Sequence, residues 1–171
     1  IPPNIDLLTS NLSWFDTENI SLSYNVTDNF GIQYADLYID GKLNQTNNSV
    51  SLGVPQYFYL KKLEEGEYNW TVNVTDTGNY STKAPERIFY IDLTPPSVFL
   101  NYPNSSIELN QSNLEINFTT FDNMAETLTC DVLINGSIFA ANVSAINNTP
   151  ATYELLNISD GENLLNISCR D

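Results

Sequence analysis

At 171 residues, with 42% hydrophobic content and a formal net charge of −15 from 21 acidic and six basic side chains, the chain is long enough for one or two packed domains. It is too acidic for nucleic acid, whose phosphates need clustered Lys and Arg. His is absent, which removes the commonest general base and transition-metal ligand, and no apolar run approaches the roughly 20 residues of a membrane span.

Apolar and polar residues alternate over short stretches broken by Gly, Asn, Asp and Pro, which predicts strands throughout and no helix of any length. In chain order the first half reads as strands at 5–8, 20–26, 33–39, 49–52, 57–61, 68–75 and 87–92. The second half reads as strands at 98–101, 114–120, 128–134, 137–142, 152–156 and 163–169. Asp40-Gly41 and Asn135-Gly136 are hairpin dipeptides, because these residue types tolerate positive φ. Leu93-Thr94-Pro95-Pro96 reads as a short, proline-stiffened joint.

The two halves repeat each other. Asp36-Leu-Tyr-Ile-Asp-Gly41 recurs as Asp131-Val-Leu-Ile-Asn-Gly136, and Trp70-Thr-Val-Asn-Val-Thr-Asp76 recurs as Leu165-Asn-Ile-Ser-Cys-Arg-Asp171, both offset by 95 residues. A repeat of that length is a whole domain. It places one domain at 1–94 and a second at 95–171.

Asn-X-Ser/Thr sequons occur at Asn11, Asn19, Asn25, Asn44, Asn47, Asn69, Asn73 and Asn79, and again at Asn104, Asn110, Asn117, Asn135, Asn142, Asn147, Asn157 and Asn166. Random placement of 24 Asn and 30 Ser plus Thr among 171 residues gives about four, not these 16. Asn and Thr both suit polar strand faces and turns, which raises the count. The competing and expected reading is N-glycosylation of an exported protein. Alternation turns Ile20, Leu22, Tyr24 and Val26 inward and Asn19, Ser21, Ser23 and Asn25 outward, where a glycan is tolerated.

The order of motifs carries a resemblance. Pro2-Pro3 is followed by an alternation ending in Thr27-Asp28-Asn29, then Asp36–Gly41, then Gly66-Glu-Tyr-Asn-Trp-Thr-Val-Asn-Val-Thr-Asp76-Thr-Gly-Asn79. Nearly the whole chain resembles a tandem immunoglobulin-like repeat of prokaryotic, especially archaeal, surface proteins. The resemblance implies two all-β, Greek-key sandwiches in a glycosylated, exported, multidomain protein of surface layers, adhesins or extracellular filaments. It also suggests that Tyr68 makes a tyrosine corner.

In that strand order Cys130 and Cys169 align with Ala35 and Val74 and fall on strands C and F, neighbours in one sheet. A directly opposed pair there suits a disulfide, and an oxidising, extracellular address with it. Two buried free thiols are the alternative. Zinc lacks a third Cys or any His.

Asp28, Asp76 and Asn79 would meet at one end of the first sandwich, with Asp122-Asn123 and Asp171 repeating them. Such turns read either as side chains capping their own backbone or as part of a calcium site, which needs six to eight oxygens. No catalytic motif is present. Glu64, Glu65 and Glu67 read as a solvated turn rather than a hydrolase pair.

Residues 87–92 of the first copy have no counterpart after Asp171, so the second sandwich is expected to lack its last strand. Either the array continues beyond the chain, or a neighbouring subunit donates a strand to the open edge. The expected function is a non-catalytic, N-glycosylated structural module of an extracellular filament, surface layer or stalk. Its partners would be N-linked glycans and further copies or domains of itself. An adhesin or lectin-like module is the alternative reading.

Overall fold

Burial along residues 20–27 alternates as the period of two demands, with Ile20, Leu22, Tyr24 and Val26 buried and the intervening residues outside. Repeated over the chain, this pattern produces fifteen strands and no helix in the computed structural model, which describes residues 1–171. The chain divides into two compact units, Ile1–Leu93 and Thr94–Asp171, within one residue of the boundary set by the repeat.

Unit 1 contains β1 (Asn4–Leu7), β2 (Ser13–Phe15), β3 (Ile20–Thr27), β4 (Ile32–Ile39), β5 (Lys42–Asn47), β6 (Gln56–Leu60), β7 (Gly66–Asp76), β8 (Ser81–Lys83) and β9 (Arg87–Ile91). One sheet has the order β1-β3-β6. The other runs β2-β9-β7-β4-β5, with β8 also paired to β7. All pairings are antiparallel except β2 with β9. The inward faces close over Leu22, Tyr24, Leu37, Phe58, Trp70, Val72, Phe89 and Ile91.

Unit 2 contains β10 (Ser97–Tyr102), β11 (Leu114–Phe121), β12 (Thr127–Ile134), β13 (Ser137–Ile146), β14 (Pro150–Leu155) and β15 (Leu165–Arg170). Its sheets are β10-β11-β14 and β13-β12-β15. They repeat β1-β3-β6 and β5-β4-β7 strand for strand, and β15 pairs with β12 alone. The core cluster is smaller, with seven buried residues against sixteen in unit 1.

Three strands of unit 1 differ from expectation. Residues 49–52 form no strand, being irregular up to a turn at Leu52, and the strand lies instead at β5, immediately after the Asp40-Gly41 turn. β2 and β8, three residues each, had no periodic signal to reveal them. Both predicted hairpin turns form, with positive φ at Asp40, Gly41, Asn135 and Gly136. Each turn is also tied to the neighbouring strand. Asn69 N donates to Asp40 Oδ1 at 2.9 Å, and Leu164 N donates to Asn135 Oδ1 at 2.8 Å, again 95 residues on.

Candidate functional site

No single cleft concentrates chemistry. The candidate features are the sequon-bearing surface, the cysteine pair, the acidic loops and one sheet edge.

None of the sixteen sequon asparagines is buried; five of them (Asn25, Asn47, Asn73, Asn117 and Asn147) are half-buried and the rest exposed. Their amides are not equivalent. Asn147 Nδ2 donates to the carbonyls of Asp122 and Ala125, and its Oδ1 accepts from Asp122 N, so this side chain stitches the β11–β12 loop to the β13–β14 turn. Asn47 Nδ2 donates to the buried Tyr24 hydroxyl, and Asn135 Nδ2 donates to Asn163 Oδ1. Asn11, Asn25, Asn117, Asn142 and Asn166 engage only their Oδ1, as acceptors, which leaves the amide nitrogen uncommitted.

Cys130 and Cys169 are register partners on β12 and β15 and form a disulfide, with Cα atoms 4.0 Å apart. The matching pair in unit 1, Ala35 and Val74, sits in the same register and is fully buried. The link therefore joins neighbours within one sheet and is dispensable to the topology.

Beside it, Asp131 Oδ1 accepts from Asn142 N at 2.8 Å and its Oδ2 pairs with Arg170 at 2.8 Å. The Asn142 backbone bond first, and the Arg170 guanidinium second, hold the Asp131 carboxyl below its ordinary value. Tyr68 Oη donates to the carbonyl of Glu64 at 2.9 Å, closing the tyrosine corner, while its ring stacks on Phe89. Burial raises the Tyr68 hydroxyl.

The acidic loops are built alike. Asp28 Oδ2 accepts from Phe30 N at 2.8 Å and Gly31 N at 3.1 Å, and the Phe30 bond is the main reason its carboxyl titrates low. Asp76, wholly buried, accepts through Oδ1 from Gly78 N at 2.7 Å and Tyr80 N at 2.9 Å. Asn79 adopts φ 62° and donates its backbone N–H to the Asp76 carbonyl, so its part is in the turn. In unit 2, Asp122 Oδ1 accepts from Met124 N and Ala125 N. Turn chemistry therefore occupies one oxygen of each carboxylate. The other, Asp28 Oδ1, Asp76 Oδ2 and Asp122 Oδ2, is buried with no hydrogen-bond partner.

On the unit 2 edge, β15 leaves unpaired the flank that β9 covers on β7 in unit 1, where Phe89 and Ile91 fill the core. Aromatic pairs, which the sequence did not mark as clusters, lie outside: Trp14 stacks on Tyr90 with ring centroids 4.4 Å apart, and Tyr57 on Tyr59 at 6.3 Å. Tyr38 is half-buried, with Lys83 Nζ 5.8 Å from its ring centre. The Glu64–Glu67 turn is structural, since Glu65 accepts from Leu93 N and the Glu64 carbonyl takes the Tyr68 bond.

No family model and no curated protein matches the chain. Among solved structures it is similar to the fibronectin(III)-like modules of CbhA from Clostridium thermocellum, with TM-score 0.60 and 16% identity over 97% of this chain and 85% of that one. The D00-D0 domain of intimin matches at TM-score 0.47 and 9% identity, over 99% of this chain and 92% of that one. Latent PorU of Porphyromonas gingivalis matches at TM-score 0.45 and 19% identity, over all of this chain and 19% of that one. At such identities the likeness concerns fold, and that fold is the all-β sandwich of fibronectin-III and immunoglobulin-like modules.

Proposed function

We propose that the chain is a non-catalytic structural module of an extracellular filament, surface layer or stalk, with N-linked glycans on its polar faces. The observation that carries this reading is the placement of sixteen sequon asparagines, none of them in either core. A disulfide in unit 2 suits an oxidising exterior, and few basic groups oppose the net charge of −15. The mechanism is mechanical. Antiparallel sandwiches resist extension through their sheets, glycans cover the outer strand faces, and a covalent link fastens the unit with the smaller core. The open flank of β15 suits pairing with an additional strand, from another domain or another copy.

Cryo-electron microscopy of the native assembly tests this: the reading expects the two sandwiches recurring at fixed spacing, with density on outward Asn residues. A chain found dispersed and bare contradicts it.

One observation favours an adhesin-like module instead. Trp14, 52% exposed, and Tyr59, 63% exposed, belong to stacked pairs of the kind that pack against sugar rings. Saccharide binding that is lost in both Trp14→Ala and Tyr59→Ala would establish that reading.

A further inference from the structure

The orphaned carboxylate oxygens point to a ligand that turn chemistry does not supply. Asp76 is 0% exposed, and its Oδ2 lies buried without a partner. A buried polar oxygen without a hydrogen bond is costly, and proteins rarely leave one so unless a cation or water completes it. Asp28 presents a second such oxygen on the adjacent loop. The two loops are joined at their bases. Ile32 and Asp76 are register partners at the ends of β4 and β7, Thr77 N donates to the Gly31 carbonyl at 2.9 Å, and Gly31 N donates to Asp28 Oδ2. No Lys or Arg pairs with either carboxylate.

Unit 2 has a looser counterpart, in which Asp122 is half-buried and Asp171 exposed. Asp122 Oδ2 is buried without a partner, and Asp122 and Asp171 each bring a carboxylate oxygen within 4.8 Å of the other's.

We propose that each unit binds one hard divalent cation, Ca²⁺, at this end of its sandwich: through Asp28 and Asp76 in unit 1, and through Asp122 and Asp171 in unit 2. Only oxygen donors are present, which suits Ca²⁺ or Mg²⁺ rather than a transition metal. Ca²⁺ is favoured because its variable coordination accepts carboxylates on separate loops, with loop carbonyls and water completing six to eight positions. Two carboxylates per site place the affinity in the weak class of extracellular modules, roughly 10⁻⁴ to 10⁻³ M. The backbone N–H bonds on the other oxygen of Asp28, Asp76 and Asp122 fix their orientation before the ion arrives.

Calorimetric titration of the chelator-treated full chain with CaCl₂ to about 10 mM tests this. Saturable binding of two ions per chain, weakened at least tenfold at one site by Asp28→Asn or Asp76→Asn and at the other by Asp122→Asn, is the expected result. Asn keeps one oxygen to accept the turn bonds while removing the charge, and far-UV circular dichroism establishes that each variant is folded. Asp28→Asn, at a half-buried position, keeps the test open if Asp76→Asn unfolds. Absence of saturable binding overturns the proposal, as does binding that folded Asp28→Asn and Asp122→Asn leave unchanged. Equal binding of MgCl₂ in a parallel titration overturns the choice of Ca²⁺.

Discussion

At the residue scale, several polar side chains have duties that the sequence only partly disclosed. The tyrosine corner was legible, because Tyr68 stands just after the Glu64–Gly66 turn and its hydroxyl reaches Glu64. Replacing it with Phe keeps the ring on Phe89 and removes one hydrogen bond. The expected loss is about 1 kcal/mol, read as a lower urea midpoint at unchanged slope. An unchanged midpoint would show that the bond adds nothing net.

Asp131 carries a pH signature. Its folded pKa is depressed, so its stabilisation is present above the unfolded carboxylate value of about 3.9 and is lost as pH falls through the lower folded value. Melting temperature of unit 2 should therefore fall below about pH 4, and less steeply in Asp131→Asn. An identical profile in the variant contradicts that role. Sequence shows that Asp28 and Asp76 suit turns, but only three-dimensional placement shows which oxygen the turn consumes.

At the element scale, strands with an apolar face were readable and the others were not. β3, β7, β11 and β12 each bury alternate apolar residues, so periodicity located them. β5, Lys-Leu-Asn-Gln-Thr-Asn, is an outer strand with almost nothing to bury, and a period-two search passes over it. Polar alternation on β7 is also imperfect. Thr71 and Thr75 are buried because their hydroxyls bond Ala84 O and Ser81 Oγ along the β8 segment.

The cysteine pairing was readable because the immunoglobulin-like strand order sets residues 130 and 169 on neighbouring strands, and the two are register partners. Closing the 39-residue separation between Cys130 and Cys169 contributes roughly 4 kcal/mol on a chain-entropy model. Reduction, or Cys130→Ala with Cys169→Ala, should lower the unit 2 transition by on the order of 20 °C and leave unit 1 unchanged. Calorimetry showing one unaltered transition contradicts this. Conversely, Phe89→Ala empties the centre of the unit 1 core and should cost about 3–5 kcal/mol in that unit alone.

At the scale of the whole molecule, the duplication is the organising fact, and its halves differ in how they are secured. Unit 1 has a larger core and a full second sheet. Unit 2 has a smaller core and a covalent link. The sequence disclosed this contrast because both the repeat offset and the lone cysteine pair are countable, whereas its consequence for assembly depends on what lies against β15. The outer surface is where composition and structure agree most closely, since polar asparagines occupy strand faces and turns and leave the cores to apolar residues. Site-resolved glycopeptide mapping of the protein isolated from its native host tests that account most directly. Glycans on outward residues such as Asn44, Asn69 and Asn166, with Asn147 bare because its amide is committed to two backbone carbonyls, is the predicted result. Unmodified asparagines throughout would contradict it.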